Sequence, residues 1–152
     1  MELQVREARL TDIDRVLGLI ERADVRWSSA ELATVADLLR QLIYLPNAAV
    51  LLAHDGRLLL GAGVLALRPS VSEGGLVGTI DLLAVEPGHE LSGVTETLIN
   101  ELASSARNKG CVLIEAAQPE DPAEVARWES LGFSDTGARL SRSLAALRAG
   151  AR

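Results

Sequence analysis

Val85-Glu86-Pro87-Gly88-His89-Glu90-Leu91-Ser92-Gly93-Val94-Thr95-Glu96-Thr97-Leu98 decides how the chain is read. An apolar run from Leu76 to Val85 stops at Pro87-Gly88. A helical pattern then starts near Gly93 and reaches Asn108, with Val94, Leu98, Leu102 and Ala106 on one face. Lys109-Gly110 closes it, placing a positive charge and a glycine where a helix C-terminus favours both. The segment therefore joins a strand to a helix. Such a turn presents unpaired N–H groups and the positive end of a helix dipole, which together suit an anion. Taken alone, it reads more simply as an ordinary connection.

Upstream, Leu3 to Glu7 alternates as a short strand. Thr11-Asp12-Ile13-Asp14 has the form of a capping box, and Ile13, Val16, Leu17 and Ile20 give the helix after it an apolar stripe. Ser28-Ser29-Ala30-Glu31 repeats the form, followed by a stripe of Leu32, Val35, Leu38, Leu39 and Leu42 that ends at Pro46-Asn47. Ala48 to His54 reads as a strand, and Asp55-Gly56 as the centre of a hairpin turn with positive φ at both positions. Leu58 to Leu67 is a buried strand in which Gly61 and Gly63 signal a close approach or a bulge. Pro69 to Gly75 reads as a loop. Downstream, Cys111 to Ala117 is an apolar strand. Pro119 and Pro122 bracket the start of a fourth helix, with Val125, Trp128 and Leu131 on its face and Gly132 as its cap. Phe133 to Thr136 and Leu140 to Leu144 are expected to form a closing strand pair, whose edge would be open to a second copy. The order is that of an α/β fold, with a mixed sheet and helices on its faces.

The 152 residues fit one domain, expected over 1–144, with a tail over 145–152. The single cysteine, Cys111, excludes an internal disulfide and a cysteine metal cluster. The net charge is −6, and the aromatic residues are Trp27, Tyr44, Trp128 and Phe133. Such a chain lacks the cationic field and the stacking platforms of nucleic-acid binders. No window is apolar for long enough to span a membrane, and the charged N-terminus is unlike a secretory signal. A cytoplasmic protein is expected. The charge is uneven: net −1 over residues 1–68, −9 over 69–136 and +4 over 137–152. The simplest meaning of the acidic middle is a solvated face.

Several sites are set aside. There is no P-loop pattern, and His54 and His89 are isolated, so no metal is expected. Gly61-Ala62-Gly63 has no helix opening after it, as a dinucleotide fingerprint requires. Cys111 starts an apolar strand and reads as a small core residue.

Taken together, Val5-Arg6-Glu7-Ala8 with Thr11-Asp12, Gly61-Ala62-Gly63, Val85-Glu86-Pro87 and Trp128-Glu129-Ser130-Leu131-Gly132-Phe133 stand in an order that resembles the GCN5-related N-acetyltransferases, the GNAT superfamily. The resemblance extends to about Leu144. It implies a mixed, mostly antiparallel central sheet flanked by about four helices. It implies acetyl-CoA as co-substrate and transfer of its acetyl group, by direct attack, to a primary amine of a small molecule or peptide. It places acetyl-CoA against Leu83 and Val85 and along Glu90, Leu91, Ser92, Gly93, Val94 and Thr95. It makes Asp81 the first candidate for the base, with Glu73 and His54 behind it. Asp81 is flanked by apolar residues, where desolvation would favour its neutral form; an arginine-paired carboxylate is an equally good account of it. An acidic cleft would suit a cationic amine.

The sequence also departs from the family pattern. The pyrophosphate loop usually starts with Arg or Gln and ends with Gly or Ala, where this chain has Glu90 and Thr95. A carboxylate there repels phosphates, and a side chain at Thr95 would stand where backbone should approach. The position of the family's acidic Tyr is Trp128, and Asp121 stands near its usual Asn. The alternative is therefore a GNAT fold kept as a non-catalytic binding or dimerisation module.

Overall fold

The computed structural model describes residues 2–24, 26–137 and 139–144. Five strands form one sheet in chain order: β1 (Gln4–Glu7), β2 (Ala48–Asp55), β3 (Leu58–Ser70), β4 (Gly75–Val85) and β5 (Cys111–Ala116). β1 to β4 pair antiparallel, and β5 joins β4 in parallel. Parallel neighbours need a crossover, and α3 (Val94–Asn108) supplies it. The other helices are α1 (Ile13–Ala23), α2 (Ser29–Tyr44) and α4 (Pro122–Ser130). The mixed, mostly antiparallel sheet with four helices is as expected.

Each face of the sheet has its own core. On one, Ile13, Val16, Leu19 and Ile20 of α1 and Ala36 and Leu39 of α2 meet Leu52, Ala62, Val64 and Ala84. On the other, Val94, Leu98, Leu102 and Ala106 of α3 meet Ala53, Leu60, Leu65 and Ile80. The α3 stripe is the one its 3.6-residue period predicts. Gly61 and Gly63 let this helix sit close: a Cβ on Gly61 would stand 2.7 Å from Leu98 Cδ1, and one on Gly63 would stand 2.8 Å from Leu102 Cδ1.

Four local expectations are corrected. The β2–β3 turn is Gly56-Arg57, one residue later than expected, with positive φ (58°) at Gly56 only. That is where a type II′ turn places its glycine. β3 continues through Arg68-Pro69-Ser70, so the loop before β4 is residues 71–74. No strand is assigned after Gly132 among the described residues, so the expected closing pair is missing there and β5 is an open edge with Val112 and Leu113 exposed. The expected tail, 145–152, lies outside the described residues.

The fourth correction is the start of the first helix. A single 3-10 turn (Leu10–Asp12) leads into α1, and the expected Thr11 cap is replaced by Asp12 at the end of that turn: Asp12 Oδ2 accepts from the Arg9 N–H at 2.8 Å and from Arg6 Nη1 at 2.8 Å, while Oδ1 accepts from Arg6 Nη2 at 2.9 Å. The Arg6 bonds, aided by Arg9 N–H and opposed by burial, lower the Asp12 carboxyl from 3.8 to about 2. A depressed carboxyl stabilises the fold above its unfolded value, and that stability is lost as pH falls through the folded value. Asp12 therefore contributes about 2 kcal/mol at neutral pH. Denaturant titrations between pH 5 and 2 (roughly spanning both carboxyl values) should show that loss, and Asp12→Ala should flatten the slope. An unchanged slope in the variant would refute the assignment.

At the second helix the expected box forms. Glu31 N–H donates to Ser28 Oγ at 3.1 Å, and Ser28 N–H to Glu31 Oε1 at 3.2 Å. The α2 stripe is narrower than its sequence suggests, however. Leu38 is 51% exposed, although its spacing predicts a core position. Among the described residues, no helix is long and apolar enough to cross a membrane.

Candidate active site

β4 changes character halfway along. Val64 pairs with Leu82 and Leu65 with Ile80, so Asp81 is an extra residue on β4, a bulge. The bulge resets the alternation, so Leu82 packs toward α1 and α2 while Leu83 and Val85 pack toward α3. β5 accompanies β4 only from Leu76 to Ile80. Beyond Ile80 that side of β4 has no strand among the described residues. Glu86 N–H bonds the Leu60 carbonyl at 2.8 Å. By the two-residue alternation of a ladder, Ala84 also turns its backbone groups to β3, and Leu83 and Val85 turn theirs to the open side.

The loop after β4 leads straight to α3. Gly88 (φ 89°) and Gly93 (φ 91°) take left-handed angles that suit glycine. The first intrahelical bond runs from Thr97 N–H to Gly93 O, which leaves the N–H groups of Val94, Thr95 and Glu96 ahead of it. Val94 and Thr95 are buried, at 0% and 4% exposure. The Thr95 side chain therefore turns inward and does not block the loop, contrary to expectation. Glu90 does intrude: its Oε2 accepts from Gly88 N–H at 3.0 Å, so one loop donor is already engaged by a carboxylate. Leu91 and Ser92 lie exposed, and Ser92 Oγ donates to His89 O at 2.7 Å.

Sequence reasoning missed the residue that holds this loop. Arg127 of α4 donates from Nη1 to Glu90 O at 3.0 Å, and its guanidinium pairs with Glu96 and Glu124. It is the one basic residue between Cys111 and Thr136, which was the available signal. Glu86 is fixed similarly. Arg22 of α1 donates Nε and Nη2 to its carboxylate at 2.8–3.1 Å, which lowers the Glu86 carboxyl below its ordinary value.

On the α1–α2 face, Asp81 and Leu82 share a cavity of about 660 Å³ with Trp27, Leu38, Leu42 and Leu45. Asp81 is exposed at its rim, so the desolvation expected from its apolar neighbours is absent. Glu73 is not brought near it. Glu73 lies exposed in the β3–β4 turn, at the opposite end of β4 from the α3 loop, with its N–H on Ser70 Oγ. This placement does not support a catalytic role for Glu73. His54 is at the β2–β3 hairpin, its Nδ1 2.9 Å from the Gly56 carbonyl oxygen.

Three further candidates have structural work. Trp128 stacks edge-on against Phe133, centroids 4.9 Å apart. Asp121 caps α4, with Oδ1 accepting from Ala123 N–H at 3.0 Å. Cys111 is half-buried against Gly78, and burial pushes its thiol up, away from the reactive thiolate. Among the described residues, no group of His, Cys, Asp or Glu is placed to hold a metal ion.

Comparison with known proteins places these features. The model of the acetyltransferase (GNAT) family matches residues 15–133. A glucosamine 6-phosphate N-acetyltransferase of Trypanosoma brucei brucei is 30% identical over 139 residues, covering 88% of each chain. A solved transcriptional regulator from Bacillus halodurans superposes with TM-score 0.81 at 18% identity, over 94% of this chain and 100% of its own. The aminoglycoside acetyltransferase AAC(6')-Iy, solved with a CoA-containing bisubstrate analogue, superposes with TM-score 0.79 at 16% identity, over 96% and 100%. The open β4 edge, the bulge at Asp81 and the α3 loop thus belong to a chain that is a member of the acetyltransferase (GNAT) family.

Proposed function

We propose that this acetyltransferase moves the acetyl group of acetyl-CoA to a primary amine, with the two substrates meeting at the β4 bulge. The observation that carries this is the division of β4. Toward β5, the backbone groups of Leu83 and Val85 are open and lead to the free N–H groups of Val94, Thr95 and Glu96. Toward α2, Asp81 lines a cavity. An extended ligand with an anionic end fits the first, because strand edges pair with amide groups and helix N-termini with phosphates. Gly93 gives close backbone access, and exposed Leu91 and Ser92 flank it. The acidic surroundings favour an ammonium in the second.

When bound, acetyl-CoA supplies the thioester. The chain's contribution is binding and orientation, which carry much of such a reaction. The amine nitrogen bonds to the acetyl carbonyl carbon, the carbon–sulfur bond breaks, and CoA leaves as thiolate, which gains through water the second proton that the nitrogen loses as the amide forms. Asp81 takes the proton that the ammonium must lose before it attacks. Trp128 supplies no acid, since an indole N–H does not ionise usefully. A non-catalytic module is not favoured, because the family and the named curated relative are acetyltransferases.

Isothermal titration with acetyl-CoA should give saturable heat, and thiol release should require an added amine. No heat and no thermal shift at millimolar acetyl-CoA would refute the proposal. The Glu90 carboxylate should weaken that binding. One charge near a phosphate is worth on the order of 1–2 kcal/mol at a surface, or about tenfold in affinity. Glu90→Gln keeps the acceptor for Gly88 N–H and removes the charge, so its Kd for acetyl-CoA should fall about tenfold. A Kd that is unchanged or raised would show that Glu90 does not face the phosphates.

A further inference from the structure

The cavity beside Asp81 is lopsided in chemistry. Leu38, Leu42, Leu45, Leu82 and Trp27 make much of its wall. Leu38 and Leu45 remain 51% and 46% exposed. Apolar side chains left open around a concave site mark where an apolar ligand body sits. The one cation of the lining, Arg26, is already engaged: its Nε is 2.8 Å from Asp24 Oδ2, and its guanidinium lies over the Trp27 ring, 4.8 Å from the centroid. The Trp27 indole Nε1–H is buried and has no acceptor among the described residues. That nitrogen is closed to solvent, so a molecule in the cavity meets the Trp27 ring and not its N–H.

We propose that the acetyl acceptor is a primary amine on an apolar, aryl-sized body, with the ammonium toward Asp81 and the body against Leu38, Leu42, Leu45 and the Trp27 ring. This rests on the amine-acetylation reading above and narrows its substrate. The relatives' named substrates fit the walls poorly. A sugar phosphate brings a dianion to a cavity whose only arginine is paired, beside the Asp81 carboxylate. An aminoglycoside would press hydroxyls against leucines, which desolvates them without partners. A mostly apolar wall, with Thr34 and Gln41 as its neutral polar groups, selects for the opposite kind of molecule.

The experiment is a kcat/KM comparison with acetyl-CoA and two amines, phenethylamine and glucosamine 6-phosphate. Phenethylamine should exceed glucosamine 6-phosphate by about tenfold or more, the scale on which pocket chemistry discriminates. Leu38→Gln, at a half-exposed site that the fold tolerates, should lower kcat/KM for phenethylamine about tenfold and leave the KM for acetyl-CoA unchanged. An unchanged kcat/KM for phenethylamine in that variant would overturn the assignment.

Faster turnover of glucosamine 6-phosphate than of phenethylamine would overturn this inference and leave amine acetylation standing. Binding of acetyl-CoA with no turnover of any amine would overturn the underlying reading, and this one with it. If Leu38→Gln instead converts a dimer to a monomer in size-exclusion chromatography, the leucines serve a second copy and the substrate assignment fails.

Discussion

Gly61→Val should lower the melting temperature by roughly 6–12 °C, taking about 3 kcal/mol and 2–4 °C per kcal/mol for a chain of this size. Strand propensity predicts the reverse sign, because valine is favoured in strands and glycine disfavoured. Packing overrules it. A Cβ at Gly61 would stand 2.7 Å from Leu98 Cδ1, 2.8 Å from Val94 Cγ1 and 3.3 Å from Ala84 O. Val94 and Leu98 are fully buried, so neither side chain has free space to retreat into. α3 must lift, and its N-terminus carries the loop proposed to hold acetyl-CoA. Loss of cofactor affinity should therefore accompany the loss of stability. The pair can be separated in a cycle. Leu98→Ala alone should cost about 2–5 kcal/mol as a cavity. Combined with Gly61→Val, it should cost less than the sum, by about 0.5–3 kcal/mol of coupling. Strict additivity, or a Gly61→Val protein that melts higher than the parent, would show that α3 does not pack on Gly61 as described.

What the sequence made legible follows from how local each signal is. The α3 stripe and its Lys109-Gly110 ending are periodic and local, and they were read correctly. The Ser28–Glu31 box was read correctly for the same reason. The 3-10 turn that Asp12 closes ahead of α1 is not legible in Thr11-Asp12-Ile13-Asp14, because Asp12 is held there by Arg6, a residue of β1 whose approach is tertiary. The Asp81 bulge is a property of register between β3 and β4, and one strand's sequence does not contain it. Leu38 fits the apolar stripe of α2, and its half-exposed position became visible only with the cavity formed. Arg127 reaches Glu90 across 37 positions of chain, a distance that no motif spans. Glu90 stands out as sensitive because the family resemblance puts its charge at the start of the pyrophosphate loop, and the structure adds that it already occupies the Gly88 N–H. Local periodicity thus located the elements, while the site was set by contacts between them.

The acidic middle of the chain takes on a different meaning once it is divided between these contacts. Of its carboxylates, Glu86 is held by Arg22, Glu96 and Glu124 by Arg127, and Glu115 by Arg68 and Arg139. Apart from Glu124, which pairs with Arg127 within α4, these pairs join elements, and their charge is locally offset. Glu90 engages a backbone N–H, and Asp81 lines the cavity proposed for the amine. On that proposal these two carry uncompensated charge where two substrates of opposite sign would bind, one of them unfavourably. The same net charge that would weaken acetyl-CoA binding at Glu90 would strengthen ammonium binding at Asp81.

Asp81→Asn should reduce kcat at neutral pH by about 10²–10⁴-fold, the usual range for a positioned general base. The substitution is nearly isosteric and lies at an exposed position, so the melting temperature should not move measurably. The KM for acetyl-CoA should also hold, because the cofactor side of β4 is formed by backbone groups of other residues. The KM for the amine should rise, since an ammonium loses its countercharge. The pH profile separates a base from a mere binding charge. A base is needed only while the amine is protonated. As pH rises toward the amine's own pKa, the fraction already free increases about tenfold per pH unit. The variant's kcat should climb with that fraction and close on the parent's. If Asp81 only attracted the ammonium, the variant would instead stay impaired in KM at neutral pH with kcat unchanged, and no convergence in kcat would appear. An Asp81→Asn protein with the parent's kcat at every pH would remove Asp81 from the chemistry. It would leave the proton to water, at a site that does no more than bring the amine and the thioester together.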